Sequence, residues 1–274
     1  MTSLQKVIKY LAIAFAIFLI VTIFSTILAV LFGLTTILGL KSSNKELPKE
    51  MILTTFENAN IEELEIDVTY ADLTIKSGES LQVETNNKNI SSKQEINSLE
   101  IKETKNKWFS KSENEELIIY IPENLKFEEV KVNTGVGKIN IDNLITEKLS
   151  FELGAGETQI QNINVSKECE IEGGAGKITI ESGIINNLDL DMGVGEINLT
   201  STLTGKNEIN AGIGNLEIEL TGEKESYEIK ANKGLGSVKT DGKEMVDGEK
   251  YGDGENTIKV DGGIGNITID FKTE

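Results

Sequence analysis

From residue 130 onward, apolar and polar positions alternate in short runs, and each run breaks at a Gly-x-Gly. Five and three residues before the first glycine of each break the chain is mostly apolar. Examples are Val130 and Val132, Leu149 and Phe151, Cys169 and Ile171, Leu188 and Leu190, Ile229 and Ala231, and Ile258 and Val260. Period-2 alternation of this kind marks a half-buried strand. The residue between the two glycines is always aliphatic (Val136, Ala155, Ala175, Val194, Ile213, Leu235, Ile264) and keeps the inward parity. After the second glycine the parity slips, and the inward set becomes Ile139 and Ile141, Ile178 and Ile180, Ile197 and Leu199, Leu216 and Ile218, and Ile267 and Ile269. A slip of one residue turns every side chain to the other face unless the chain bends. The pattern therefore predicts a corner at the second glycine and the polar residue after it, where glycine tolerates positive φ and close backbone approach.

The corner glycines are Gly135 and Gly137, Gly154 and Gly156, Gly174 and Gly176, Gly193 and Gly195, Gly212 and Gly214, Gly234 and Gly236, and Gly263 and Gly265. Steps between first glycines are 19, 20, 19, 19, 22 and 29 residues. A near-constant period of this size means units that bury their apolar faces only against their neighbours. The expectation is an all-β chain: a single-stranded parallel β-solenoid (β-helix) of 19–20 residues per coil. Each coil holds two short strands around a glycine corner and a looser third side. Roughly seven coils at about 4.8 Å each make a rod of some 30 Å.

Ahead of the repeats, residues 1–9 form a polar tail with Lys6 and Lys9, and residues 10–40 carry no charge. That length exceeds the roughly 20 residues needed to cross a bilayer. It is too long for a cleaved signal-peptide core and is not followed by a small-x-small cleavage site. The sequence predicts one uncleaved transmembrane helix, about 10–32, continued at the interface to Leu40. Lysines flank both sides in near balance, so the positive-inside rule says little. The amino terminus is placed inside because the β-rich body resembles an exported domain. Residues 41–51 are a polar linker, and residues 52–129 read as a cap plus first coils ahead of the repeats at 130–274. Within that first part, Ile61–Ile75 looks like a degenerate coil with Tyr70-Ala71-Asp72 at its corner, and the charged loop 102–116 carries Trp108 and Phe109. A late Gly/Asp-rich stretch, DGKEMVDGEKYGDGEN, is expected to leave the rod.

Charge and composition narrow the function classes. The chain has net charge −18, no histidine and no arginine, so it lacks the basic face that nucleic-acid binding needs. The single cysteine, Cys169, cannot form an internal disulfide, and it shares its column with Val130, Leu149 and Leu188, which makes it a small core hydrophobe. The glycine motifs lack the third glycine and following helix of a dinucleotide fingerprint and the Gly-Lys-Ser/Thr of a phosphate loop. Gly262–Ile267 approaches a calcium β-roll repeat, but Ile267 stands where an aspartate belongs. No cofactor, metal site or catalytic set is expected.

The candidate surface residues are few. Two residues before each first glycine runs an outward column of Asn133, Glu152, Glu172, Asp191, Asn210, Asn232 and Asp261. Stacking at about 4.8 Å would set Glu152, Glu172 and Asp191 one above another. One reading is a cation site or a carboxylate groove of the kind used by sugar-cleaving β-helices; the other is a solvated face screened by Lys131, Lys138 and Lys177. A second outward column, Asn140, Gln159, Thr179, Asn198, Glu217, Lys239 and Thr268, suits hydrogen bonding along a rod. Trp108 and Phe109 either fold onto the cap or meet a partner or the membrane interface.

The stretch IIYIPENLKFEEVKVNTGVGKINIDNL, followed by the glycine-cornered coils, resembles a bacterial family of β-strand-repeat proteins known as putative adhesins. The resemblance covers residues 52–274 and implies a short membrane segment followed by a β-repeat body, with no catalytic residues carried over. It implies a membrane-anchored, single-pass, extracytoplasmic β-solenoid at the bacterial cell membrane. Such a module would act without chemistry, as an adhesin-like or cell-envelope scaffold toward an envelope protein, a cell-wall polymer or a surface ligand. The alternatives are an envelope-stress sensor that regulates a membrane partner and a β-helix carbohydrate-active enzyme. The scarcity of aromatics in the repeats (Phe151, Tyr227 and Tyr251) counts against the enzyme.

Overall fold

The structure, a computed structural model, describes residues 50–56, 61–104, 115–246 and 248–272. The expected tail and transmembrane segment at 1–40, most of the linker, and Trp108 and Phe109 lie outside the described residues. Among the described residues no helix is long and apolar enough to cross a membrane. Apart from one short 3-10 turn, Lys224–Ser226, the regular structure of the described residues is β throughout.

The chain winds as a stack of parallel coils whose register follows the sequence period. Leu188 lies beside Cys169, Leu190 beside Ile171 and Leu199 beside Ile180. In the next coil Ile209 lies beside Leu190 and Leu216 beside Ile197. The inward columns read from the alternation are buried, Cys169 among them. Pairing continues around the corners, so Phe127–Ile180 is one winding strand. The third side, expected to be looser, is also laddered: Ile163 pairs with Gly183, Val165 with Ile185, and Leu203 with Ile185. Amide side chains carry the chain around that side, with Asn162 Nδ2 donating to Asn143 Oδ1 at 2.6 Å and Asn187 Nδ2 to the Lys167 carbonyl at 2.9 Å.

The glycine corner bends twice, not once. Thr134 and Met192, just before their glycines, are buried, whereas Val136, Val194, Ile213 and Leu235 are 52, 50, 40 and 57% exposed. The aliphatic between the glycines, read as inward from its parity, stands outside because the first bend comes at the first glycine. The second bend restores the inward set from Ile139 onward. Gly195 makes it at φ +148, and a Cβ there would sit 1.8 Å from the carbonyl oxygen of Gly176 in the preceding coil. Gly214 has the same relation to Gly195, at 1.5 Å. Backbone stacks directly on backbone, which is why only glycine fits.

The coil at 61–78 also has its corner, one residue earlier than the sequence suggested. Tyr70 pairs with Val136, so the corner is Thr69-Tyr70-Ala71. Among the described residues no further corner backbone lies beneath it. Instead Glu103 Oε2 accepts the Thr69 amide at 2.6 Å and the Tyr70 amide at 3.2 Å. Asp72 Oδ1 accepts the Lys138 amide at 2.8 Å.

At both ends the order in space departs from the order in sequence. Glu63–Tyr70 is sandwiched between Ser98–Glu103 and the start of the long winding strand. Asp72–Gly78 is likewise held between Glu116–Pro122 and that strand. At the other end, Lys206–Leu220 pairs with Asn256–Ile264 and Ile267–Phe271, fifty-one residues on. The intervening coil, 227–240, lies outermost. The last coil in sequence is therefore inserted between two earlier ones. Short antiparallel strands close both outer edges. Ile90–Gln94 and Gln82–Thr85, the latter edged by Ile52–Thr55, cover the first end, and Lys243–Glu244 and Lys250–Tyr251 the second. The Gly/Asp-rich stretch thus folds over the rod end instead of leaving it, and covering an edge in this way blocks end-to-end pairing.

Candidate binding groove

The outward column two residues before each corner is a real column. Asp191 stands beside Glu172 on one side and Asn210 on the other, Asn210 stands beside Asp261, and Asn232 beside Asp261. Glu152 takes the same place in the next coil down, because Gly174 stacks on Gly154. These side chains form one wall of an open groove of about 930 Å³ that runs along the rod from Asn133 to Asp261. Its floor is made by the bare glycines and by Leu153, Met192 and Ala211. The groove exists because the first bend of the corner comes where no side chain is present to fill the angle.

The wall is not uniform. Asp191 Oδ1 accepts Asn210 Nδ2 at 2.6 Å, and Asp261 Oδ1 accepts Asn232 Nδ2 at 2.6 Å. The Asn232 amide, with Lys259 at 2.8 Å, holds the Asp261 carboxyl below the usual range. One position farther from the corner runs a second outward line that the sequence reading did not single out: Glu170, Asp189 and Glu208, stacked in register. Burial, together with Asp191 and Glu208, raises the Asp189 carboxyl above its ordinary value. Among the described residues, Glu152, Glu170 and Glu172 have no ion-pair partner, whereas Glu208 is paired with Lys259.

This arrangement presents lines of negative charge that can attract cations. The carboxylates point outward in lines, and among the described residues no three acidic, histidine or cysteine side chains come together to hold a metal ion. No aromatic side chain lines the groove. The Asn140-to-Thr268 column is also in register, with Asn198 beside Thr179 and Glu217. Its amides do not form a ladder, though: Asn198 Nδ2 donates to Glu196 Oε1 and Gln159 Nε2 to Glu181 Oε1. Cys169 is sealed in the core, where burial pushes its thiol pKa up.

Residues 61–260 match the family model described as Toastrack DUF4097. The chain belongs to the Toastrack family. Among solved structures, the Toastrack chain is similar to a "putative cell adhesion protein" from Clostridium sporogenes. The two share 21% identity over 81% of this chain and 99% of that one, at TM-score 0.37. It is also similar to a "putative adhesin" from Bacteroides fragilis, with 16% identity over 82% and 98% and TM-score 0.35. A "putative lipid binding protein" from Parabacteroides distasonis matches at 15% identity over 80% and 97%, with TM-score 0.40. No curated protein matches the chain. What this Toastrack rod exposes at its corner is an aliphatic line that parity alone places inside, beside a glycine-floored groove with an acidic wall. The one sequence signal for that line was the unbroken aliphatic choice between glycines, a position where burial was not needed to explain it.

Proposed function

We propose that this Toastrack chain is a non-catalytic, adhesin-like binding module of the bacterial cell envelope. Segment 10–40 anchors it to the membrane, and the solenoid lies outside the cytoplasm. The observation that carries the reading is the groove itself, which crosses successive coils without interruption and is open to solvent along its length. A site of that form suits an extended partner contacted many times weakly. Contacts repeated on one rigid rod reinforce each other through effective concentration. The outward, non-converging carboxylates and the groove's lack of aromatic lining favour binding over sugar-cleaving chemistry.

Two measurements test this. A carboxy-terminal tag on intact cells should be shaved by added protease, and the full chain should be retained on isolated cell envelope or cell-wall polymer. A tag protected in intact cells and cut only after lysis overturns the topology. A shaved tag with no retention overturns the adhesin-like role.

A further inference from the structure

The corner aliphatics form a continuous ridge. Tyr70 pairs with Val136, Val194 with Ile213, Ile213 with Ile264, and Leu235 with Ile264. Ala175 joins the line beside Val194. Tyr70 is 51% exposed, like the corner valines and Leu235. Exposed aliphatics scattered singly need no explanation, but a contiguous line of them on a soluble face does. The two flanks of the ridge differ in charge. On the far flank, Lys138 pairs with Glu157 at 3.9 Å and Lys177 with Glu196 at 3.0 Å, so charge is compensated. In the groove wall, Glu152 and Glu172 have no ion-pair partner among the described residues, and in the line beside it Glu170 has none and Asp189 stands between like charges; Lys259 pairs with Asp261 and Glu208 at the far end.

We infer that this ridge and groove together dock a basic amphipathic segment of a partner polypeptide, its apolar stripe on the ridge and its lysines or arginines over the acidic wall. The inference rests on the binding-module reading and names the chemistry of its partner. Charge complementarity decides among occupants. A second copy of the chain brings the same acids and the same net charge of −18. An anionic bilayer surface is repelled in the same way. The spacing also fits: one helical turn advances about 5.4 Å against about 4.8 Å per coil, a drift of about 3 Å over five coils, less than one coil.

The test titrates two synthetic peptides of about five helical turns onto the full chain in zwitterionic nanodiscs, with empty nanodiscs as the blank. One peptide is leucine–lysine with leucines at i, i+3, i+4 and i+7; the other is its leucine–glutamate counterpart. The lysine peptide should bind and the glutamate peptide should not. Val194→Ser combined with Ile213→Ser should weaken binding about tenfold. Glu172→Gln combined with Asp191→Asn should weaken it several-fold and flatten its salt dependence. All four positions are on the surface, and an unchanged melting curve for each variant excludes unfolding as the cause. Binding that ignores the ridge pair but follows the acids is plain ion exchange and overturns the inference. So does equal binding of both peptides, or no binding above the blank. A dimer of the chain dissolved by the ridge pair, or capture of phosphatidylglycerol vesicles lost with it, overturns it in favour of those occupants. Envelope retention is measured on the same variants. Retention without peptide binding removes this inference and leaves the module reading standing. Peptide binding without retention does the reverse.

Discussion

The two ends of the rod solve the same problem with different residues. At the first end the corner is Thr69-Tyr70-Ala71; at the other it is Gly234-Leu235-Gly236. A Cβ on Gly236 would lie 1.7 Å from the Gly265 carbonyl oxygen of the coil it rests on. Beneath Ala71 there is no such backbone among the described residues, and a glutamate side chain from Glu103 accepts the amides of Thr69 and Tyr70 instead. The difference gives the stack a direction. At the stacked corners the missing side chains point toward the first end, so the corner with no described corner backbone beneath it is the one that carries Cβ atoms.

That contrast can be broken by substitution. Gly195→Ala should cost about 3 kcal/mol or more, or prevent folding, since it combines positive φ with a backbone clash. Ala71→Gly should change stability by about 1 kcal/mol at most. Chemical denaturation of the two variants compares them, and equal effects would remove the stacking argument. Next in size is Asn207, buried in a column otherwise held by aliphatics. Its Oδ1 accepts the Leu188 amide at 3.0 Å, and its Nδ2 donates to the carbonyls of Thr204 and of Thr257 in the inserted coil. Asn207→Leu should cost about 2 kcal/mol by orphaning these groups, despite adding apolar bulk.

Smaller effects separate the middle of the groove from its far end by pH. Asp189 has a raised carboxyl pKa, so its charge opposes folding as pH rises past the unfolded value; Asp189→Asn should stabilise the chain at neutral pH. Asp261 has a lowered pKa, chiefly through Asn232 and then Lys259, so its contribution is present above the unfolded value and lost as pH falls through the folded one. Asp261→Asn should therefore destabilise at neutral pH, and the two variants should converge in acid, as thermal melts across pH would show. The smallest effect is chemical. The Cys169 thiol should resist alkylation in the native protein and react only on unfolding, at the rate the coil opens.

Much of this was legible in the chain. Period-2 alternation placed Val130, Leu149, Leu188 and Ile258 in one buried column, because each coil buries them against the same positions in its neighbours. The glycine pairs marked the corners because backbone contact admits nothing else. Parity failed at Val136 and Val194, since it counts residues and one early bend at the first glycine reverses the count. The order of the end coils was hidden for another reason. Coils 227–240 and 256–271 carry the same pattern, and each fits either slot, so periodicity could not say which touches 206–220. The 29-residue step held room for the excursion but not its direction. Asn207, too, looks out of place until the inserted coil brings Thr257 to it.

The inserted coils also bear on mechanics. The carboxy-terminal end of the described chain does not leave the rod from its outermost layer: 256–271 is hydrogen-bonded to a coil on either side. At the other end Ile52–Thr55 is an exposed edge strand that pairs, among the described residues, with Gln82–Thr85 alone. A pull on the amino-terminal tail can therefore peel that strand first, whereas a pull on the carboxy-terminal tail must tear a rung free of two ladders together. Single-molecule stretching should register the difference as a weak early step from the amino-terminal edge and a higher rupture when the inserted coil gives way.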